Sequence, residues 1–170
     1  TSGVDDIDGT AGTNKINAGL TSSGGNTLNS LDEIDGAAGT DTLNASLASS
    51  VTPGSLKNVE NVNLTFEAAS KTFNASNMTG VTTLTDIGST NAGTISNIGS
   101  TATKLQVSDN SVGATFTYQT NAVTGTADSI DLTMSNATGG NGIELNITGA
   151  VETINLTSSS SANNQELNSG

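Results

Sequence analysis

The residues best suited to chemistry in this chain are acidic and lie beside glycines. Residues 31–46 read LDEIDGAAGTDTLNAS, with Asp32, Glu33, Asp35 and Asp41 inside ten positions. Like charges this close repel, and the chain has little to offset them: 16 acidic residues face 4 lysines, with no arginine and no histidine. Oxygen donors held between glycines suit a hard cation. Calcium takes six to eight oxygens at roughly 2.3–2.6 Å, from carboxylates and backbone carbonyls alike. Glycines permit the tight, positive-φ turns that aim carbonyls at an ion.

Gly36, Gly39, Asp41 and Leu43 match the calcium-binding nonapeptide G-G-x-G-x-D-x-U-x, with Ala37 in place of the second glycine. Asp32 and Asp35, just upstream, are expected to complete the shell from the adjacent turn. The same pattern occurs earlier. VDDIDGTAGTNKINAG (4–19) aligns without gaps on 31–46 at an offset of 27, with nine of sixteen positions identical. Gly9 and Gly12 match, but Asn14 stands where Asp41 stands, and Lys15 follows it. An amide oxygen ligates without charge, and an ammonium opposes the ion. The first copy is expected to bind more weakly, through Asn14 or only through Asp5, Asp6 and Asp8. A solvated turn is the plainer reading of acidic residues among glycines. The duplicated context favours calcium in the second copy.

The elements that hold these residues are read from alternation. Val62, Leu64 and Phe66 form one period-2 group; Leu105 and Val107, Phe116 and Tyr118, Ile130 and Leu132, Leu145 and Ile147, and Ile154 and Leu156 form others. Gly, Asn, Ser and Thr flank each group, and no window shows a 3.6-residue period. Leu56–Val59–Val62–Leu64, Met78–Val81–Leu84 and Ile147–Val151–Ile154–Leu156 share a lead-in that turns a side chain inward before a strand. VENVNLT (59–65) and VETINLT (151–157) are a second internal pair. Internal repeats of this kind belong to solenoids. The expectation is an all-β chain, a parallel β-solenoid of the β-roll or β-helix kind with irregular coils. The alternative is an antiparallel β-sandwich, which suits the strand spacing too. Residues 1–52 form the acidic, glycine-rich repeats and 53–170 the continuation, with Pro53 in a loop between them. Ile34, Leu43, Val62, Leu64, Ile130, Leu132, Ile154 and Leu156 are expected to point inward.

Composition narrows the functions. A formal charge of −12 excludes nucleic-acid binding by phosphate neutralisation and disfavours anionic lipid. Hydrophobic residues make up 32% and aromatics 2%, which leaves either a disordered polar chain or a thin-cored β-structure; the alternation selects the second. No apolar run is long enough to span a membrane. Cysteine is absent, so metal ions are the available staples. The first residue is Thr without a charged-then-apolar leader, and both ends are polar, so the chain reads as a segment of a longer protein with any targeting signal outside it or removed.

The run TSGVDDIDGTAGTNKINAGL, followed by TLNSLDEIDGAAGTDTLNASL and LKNVENVNLTF, resembles the calcium-binding RTX-like region of bacterial S-layer proteins of the Caulobacter and Campylobacter type, secreted by a type I system. Similar segments occur in large secreted adhesins. The resemblance is strongest over residues 1–87 and extends by strand grammar to 157. It implies an extracellular β-solenoid at the bacterial cell surface, calcium-dependent folding and self-assembly into a lattice. Any contact with cell-surface polysaccharide would run through a domain outside this chain. Asn14–Lys15 and Ala37 depart from the family pattern. A stalk or binding module of an adhesin is the alternative function.

Other features are weaker. Glu60 and Glu152 hold equivalent places in the second repeat pair; they could cap turns or ligate calcium, but a solvated turn residue is the plainer reading. Asp128 and Asp131 repeat the spacing of Asp32 and Asp35 without the following Gly-x-Asp. The Asn-x-Ser/Thr sequons follow from composition. An enzyme is not expected: histidine is absent, aromatics for a sugar platform are few, and no nucleophile or phosphate-loop motif is present. Thr83–Thr85, Thr101–Thr103 and Thr115–Thr117 share a T-x-T spacing but recur at no fixed period, so no ice-matching face follows.

Overall fold

The computed structural model describes residues 1–100, 103–138, 142–146, 151–160, 163 and 167–169. The chain winds as a parallel β-solenoid. Its first coil carries β1 (Asp6–Asp8) and β2 (Lys15–Ala18), and its second β3 (Glu33–Asp35) and β4 (Thr42–Leu47). The third carries β5 (Ser55–Lys57), β6 (Asn61–Phe66) and β7 (Lys71–Asn74). The fourth carries β8 (Met78–Thr79), β9 (Thr83–Ile87) and β10 (Gly93–Ile98). Then come β11 (Lys104–Ser108) with β12 (Ala114–Tyr118), β13 (Ser129–Ser135) with β14 (Ile143–Asn146), and β15 (Thr153–Ser158) with β16 (Leu167–Ser169). Helix is confined to a single 3-10 turn at Thr120–Val123 among the described residues.

Like strands of successive coils stack into three sheets. The long sheet runs β2-β4-β6-β9-β11-β13-β15, a second runs β7-β10-β12-β14-β16, and a short one runs β1-β3-β5-β8. Every pairing of these strands is parallel. The antiparallel alternative is thereby rejected; the one antiparallel contact among the described residues is an isolated bridge between Leu20 and Asn26. Sheet pairing crosses residues 52 and 53 without a break, since β3 pairs β5 and β4 pairs β6. The acidic repeats and their continuation are one solenoid.

Register follows the repeats where the sequence repeats. Ile7 pairs Ile34 and Ile16 pairs Leu43, the alignment read from sequence. The second repeat pair behaves differently. Val62 leads through Leu84, Leu105 and Leu132 to Leu156, two residues beyond Ile154, its sequence equivalent. The two segments share a sheet and a face but are slid by one inward position. A period-2 strand tolerates that slip, because it keeps every side chain on its own side.

The core is a stack of inward ladders. Leu43, Val62, Leu84 and Leu105 are fully buried, with Leu132 1% exposed. Leu56, Val59 and Leu64 of the first lead-in are fully buried too. Each such side chain, once buried, contributes about 1.5–3 kcal/mol. Six of the eight residues expected inward are buried. Ile154 and Leu156 are 39% and 48% exposed, which corrects the expectation for β15. Their ladder is the predicted one, but β15 is the last strand of its sheet. An inward side chain gets cover from ladder neighbours on both sides, and these have a neighbour on one side only. Thr101 and Ile147 lie outside the described residues.

One corner carries a polar ladder. After the long sheet, Ser89 Oγ accepts the Phe66 N–H at 2.8 Å and Asn110 Oδ1 accepts the Ser89 N–H at 2.9 Å. In the first coil Asn26 Oδ1 accepts the N–H groups of Ala48 and Ser49. These side chains satisfy backbone donors that the bend takes out of the sheet ladder.

Candidate metal centre

The acidic, glycine-rich turns precede β2 and β4 and stack one on the other. Stacking at a sharp turn needs bare backbone. A Cβ on Gly36 would lie 1.9 Å from the carbonyl oxygen of Asn58, and one on Gly39 would lie 2.5 Å from that of Gly12. The motif glycines therefore let adjacent coils touch. Ala37 takes the left-handed conformation that glycine prefers, with φ of +67°.

This stacking brings the two motif copies to one position. Asn14 from the first coil and Asp41 from the second meet there. The Asn14 side-chain amino group donates to Thr10 O at 2.8 Å, Gly12 O at 2.7 Å, Gly36 O at 3.2 Å and Asp41 Oδ1 at 2.9 Å. Its Oδ1 faces the other way and accepts from the N–H and hydroxyl of Thr10 at 3.2 and 3.1 Å. Asp41 Oδ1 also accepts the Asn14 backbone N–H at 2.6 Å. Asp41 is fully buried, and its Oδ2 has no hydrogen-bond partner. That oxygen lies beside Gly36, 2.8 Å from where a Cβ there would stand.

Three carbonyls and a carboxylate oxygen thus converge from two coils on one small neutral donor, with a second carboxylate oxygen buried alongside and unpaired. The acceptors outnumber the two amino hydrogens. This donor set fits a hard cation: all oxygen, with one full negative charge. The distances of 2.7–3.2 Å would close by about half an ångström around calcium. Thr10 O, Gly12 O, Gly36 O and Asp41 are the groups that would hold it.

The remaining expected ligands serve other partners. Asp32, 2% exposed, accepts the Asp5 N–H at 2.9 Å and the Asn29 N–H at 2.7 Å. It is a corner cap joining two coils. Asp35 accepts from Ala37 N and Asn58 Nδ2 and pairs with Lys57 Nζ at 3.3 Å. The Asn58 hydrogen bond first, then those of Ala37 and Lys57, hold its carboxyl below the usual carboxylate range. Asp8 is exposed and sits opposite Asp35 in the ladder, and Asp5 accepts hydrogen bonds from Thr1. Gly9 backs onto Gly36. Among the described residues no three acidic side chains converge. The repulsion in 31–46 is relieved by backbone N–H groups and Lys57 as well as at the inter-coil position.

Reading the two copies as separate sites missed their meeting, and missed Thr10 as a contributor. An offset of one coil between the copies was the signal available. Glu60 and Glu152, read most simply as solvated turn residues, prove to be caps. Glu60 Oε2 accepts the Asp41 N–H and Glu152 Oε2 the Asp128 N–H, each at 2.7 Å, so both cap a turn one coil earlier. No protein-family model, no curated protein and no solved structure matches the chain. No helix among the described residues is long and apolar enough to cross a membrane.

Proposed function

We propose that this chain is a calcium-stapled structural segment of an extracellular bacterial surface layer of the S-layer kind, assembling with copies of itself. One observation carries the calcium part: carbonyl oxygens of two adjacent coils and the buried, half-partnered carboxylate of Asp41 surround a single position. An ion there would bind oxygens from both coils at once, and only when the coils are stacked. It would stabilise the folded state by mass action and do the work of a disulfide in a chain without cysteine. The layer part is supported by the resemblance over residues 1–87 and by the architecture. A solenoid of parallel sheets offers long, polar, regularly spaced faces. One such face bears a ladder in which Asn44 donates to Asn17 at 3.1 Å and Asn63 donates to Asn44 at 2.9 Å.

The test has two parts. Thermal unfolding with calcium and with chelator should differ markedly, and equal melting temperatures reject the staple. Electron microscopy of the purified protein with calcium should show two-dimensional sheets; isolated rods at all concentrations favour a stalk over a layer.

A further inference from the structure

We infer that the side chain of Asn14 is a resident plug: its amino group fills the inter-coil position in the ion-free chain, and a divalent cation enters only as the amide turns over and presents Oδ1 in place of Nδ2. The inference rests on the calcium reading above and adds its regulation.

The hydrogen bonds fix the amide in its ion-free orientation. On one side lie only acceptors: Thr10 O, Gly12 O, Gly36 O and Asp41 Oδ1. On the other lie the Thr10 N–H and hydroxyl, both donating to Oδ1. Turned over without an ion, Oδ1 would face four oxygens and the amino group would face an N–H. Neither contact is favourable. With a cation at the centre the preference reverses. Oδ1 becomes a further ligand, the amino group would repel the ion, and the Thr10 hydroxyl can rotate to accept from the amino group. The two orientations therefore have opposite affinities for the ion, which is the condition for a ligand to shift an equilibrium.

The carboxylate beside the plug is the second observation. Asp41 Oδ2 is buried and unpartnered. Two amino hydrogens cannot serve four oxygens well, so the plug substitutes for an ion incompletely. It keeps the first coil docked without calcium and lowers apparent calcium affinity, because the competent orientation must first be populated. Where the second copy has aspartate, the first has an amide, and only the amide can play both parts.

The experiment is a calcium titration of the 15N-labelled chain, following the side-chain amide signals of Asn14, with sodium chloride as a control. Calorimetry on wild type and Asn14→Asp runs in parallel. In chelator the Asn14 amino protons should be protected from exchange; millimolar calcium should shift them and remove that protection. Asn14→Asp should bind calcium about tenfold or more tightly, through one more charged ligand and no plug, yet melt lower than wild type in chelator. Calcium binding to wild type that leaves the Asn14 signals unmoved overturns the plug and leaves the calcium reading standing. Binding to Asn14→Asp but not to wild type overturns the turnover together with native calcium binding, since the amide then never presents Oδ1 to an ion. No binding to either overturns both.

Discussion

The carboxylate of Glu60 accepts the backbone N–H of Asp41, which lies one coil earlier, at 2.7 Å. Asp41 in turn accepts the backbone N–H of Asn14, one coil earlier again. A column of side chains thus climbs the solenoid at the entrance to the long sheet, each holding the backbone below it. Glu152 repeats the act on Asp128. Glu60→Ala should cost about 1–2 kcal/mol, because the Asp41 N–H belongs to a buried residue and loses its acceptor. Glu152 is exposed, so water replaces its carboxylate, and Glu152→Ala should cost about 0.5 kcal/mol or less. Urea unfolding of the two variants measures the difference; equal losses would show that the hydrogen bond does not depend on burial.

The glycine turns make opposite predictions for neighbouring positions. At Gly36 a Cβ meets the Asn58 carbonyl at 1.9 Å, so Gly36→Ala must push two coils apart. A loss of about 3 kcal/mol or more is expected, at the upper end for a single substitution. Ala37, next to it, is exposed at φ +67°. Relief of its left-handed strain, about 1–2 kcal/mol, exceeds the entropic cost of glycine, about 0.5–1 kcal/mol. Ala37→Gly should therefore raise stability slightly, by about 0.5 kcal/mol. A stability loss in Ala37→Gly would sink this account of the turn.

Calcium dependence should be carried mainly by Asp41. Asp41→Ala removes the sole carboxylate of the ring and a backbone cap together, so it lowers the melting temperature even in chelator. The informative quantity is the difference between melting with calcium and with chelator, which should fall close to zero. Asn14→Ala should leave more of that difference, since Asp41 and the carbonyls of Thr10, Gly12 and Gly36 stay. A calcium-dependent difference that survives Asp41→Ala intact would place the ion elsewhere.

The solenoid was legible because alternation and repetition survive in the sequence. Val62 and Leu64 sit on one face of a strand whatever its neighbours, and the offset of 27 between copies is the length of a coil, as Ile7 opposite Ile34 shows. What sequence hid is the choice of partner. Nothing local says that Asp32 would cap Asp5 while Asp41 would join Asn14, because both pairings are made between coils. The slide that sets Val62 in line with Leu156, not Ile154, is equally silent, since coil lengths between them vary. Asp86 was invisible for a related reason. It follows Leu84 at inward spacing in LTDIG, but an aspartate there reads as a turn residue.

Asp86 gives the last prediction. It stands in an inward ladder between Leu64 and Val107 and is 1% exposed. Its polar neighbours are Ser89, whose hydroxyl donates to Oδ1, and Asn110. Oδ2 has no partner, and no charged side chain contributes to its titration. Burial dominates over the Ser89 hydrogen bond and the nearby Asn110 side chain and raises its pKa from 3.8 to about 6. The folded chain then holds a proton that the unfolded chain has released between those values. The stabilisation is fully present below about pH 3.8 and is lost as pH rises through about 6. The difference corresponds to about 3 kcal/mol. Half-buried Asp35 and exposed Asp109, whose pKa values are lowered by hydrogen bonds from Asn58 and Asn136 first, act in the opposite sense and at lower pH. In chelator, the urea midpoint of the wild type should therefore fall between pH 4.5 and 7.5. Asp86→Asn cannot ionise, keeps the shape, and should show most of that fall abolished, with stability at pH 7.5 equal to wild type or higher. A wild-type midpoint that rises over this range, or an Asp86→Asn profile that falls as steeply, would show that the carboxyl is ionised in the core at little cost.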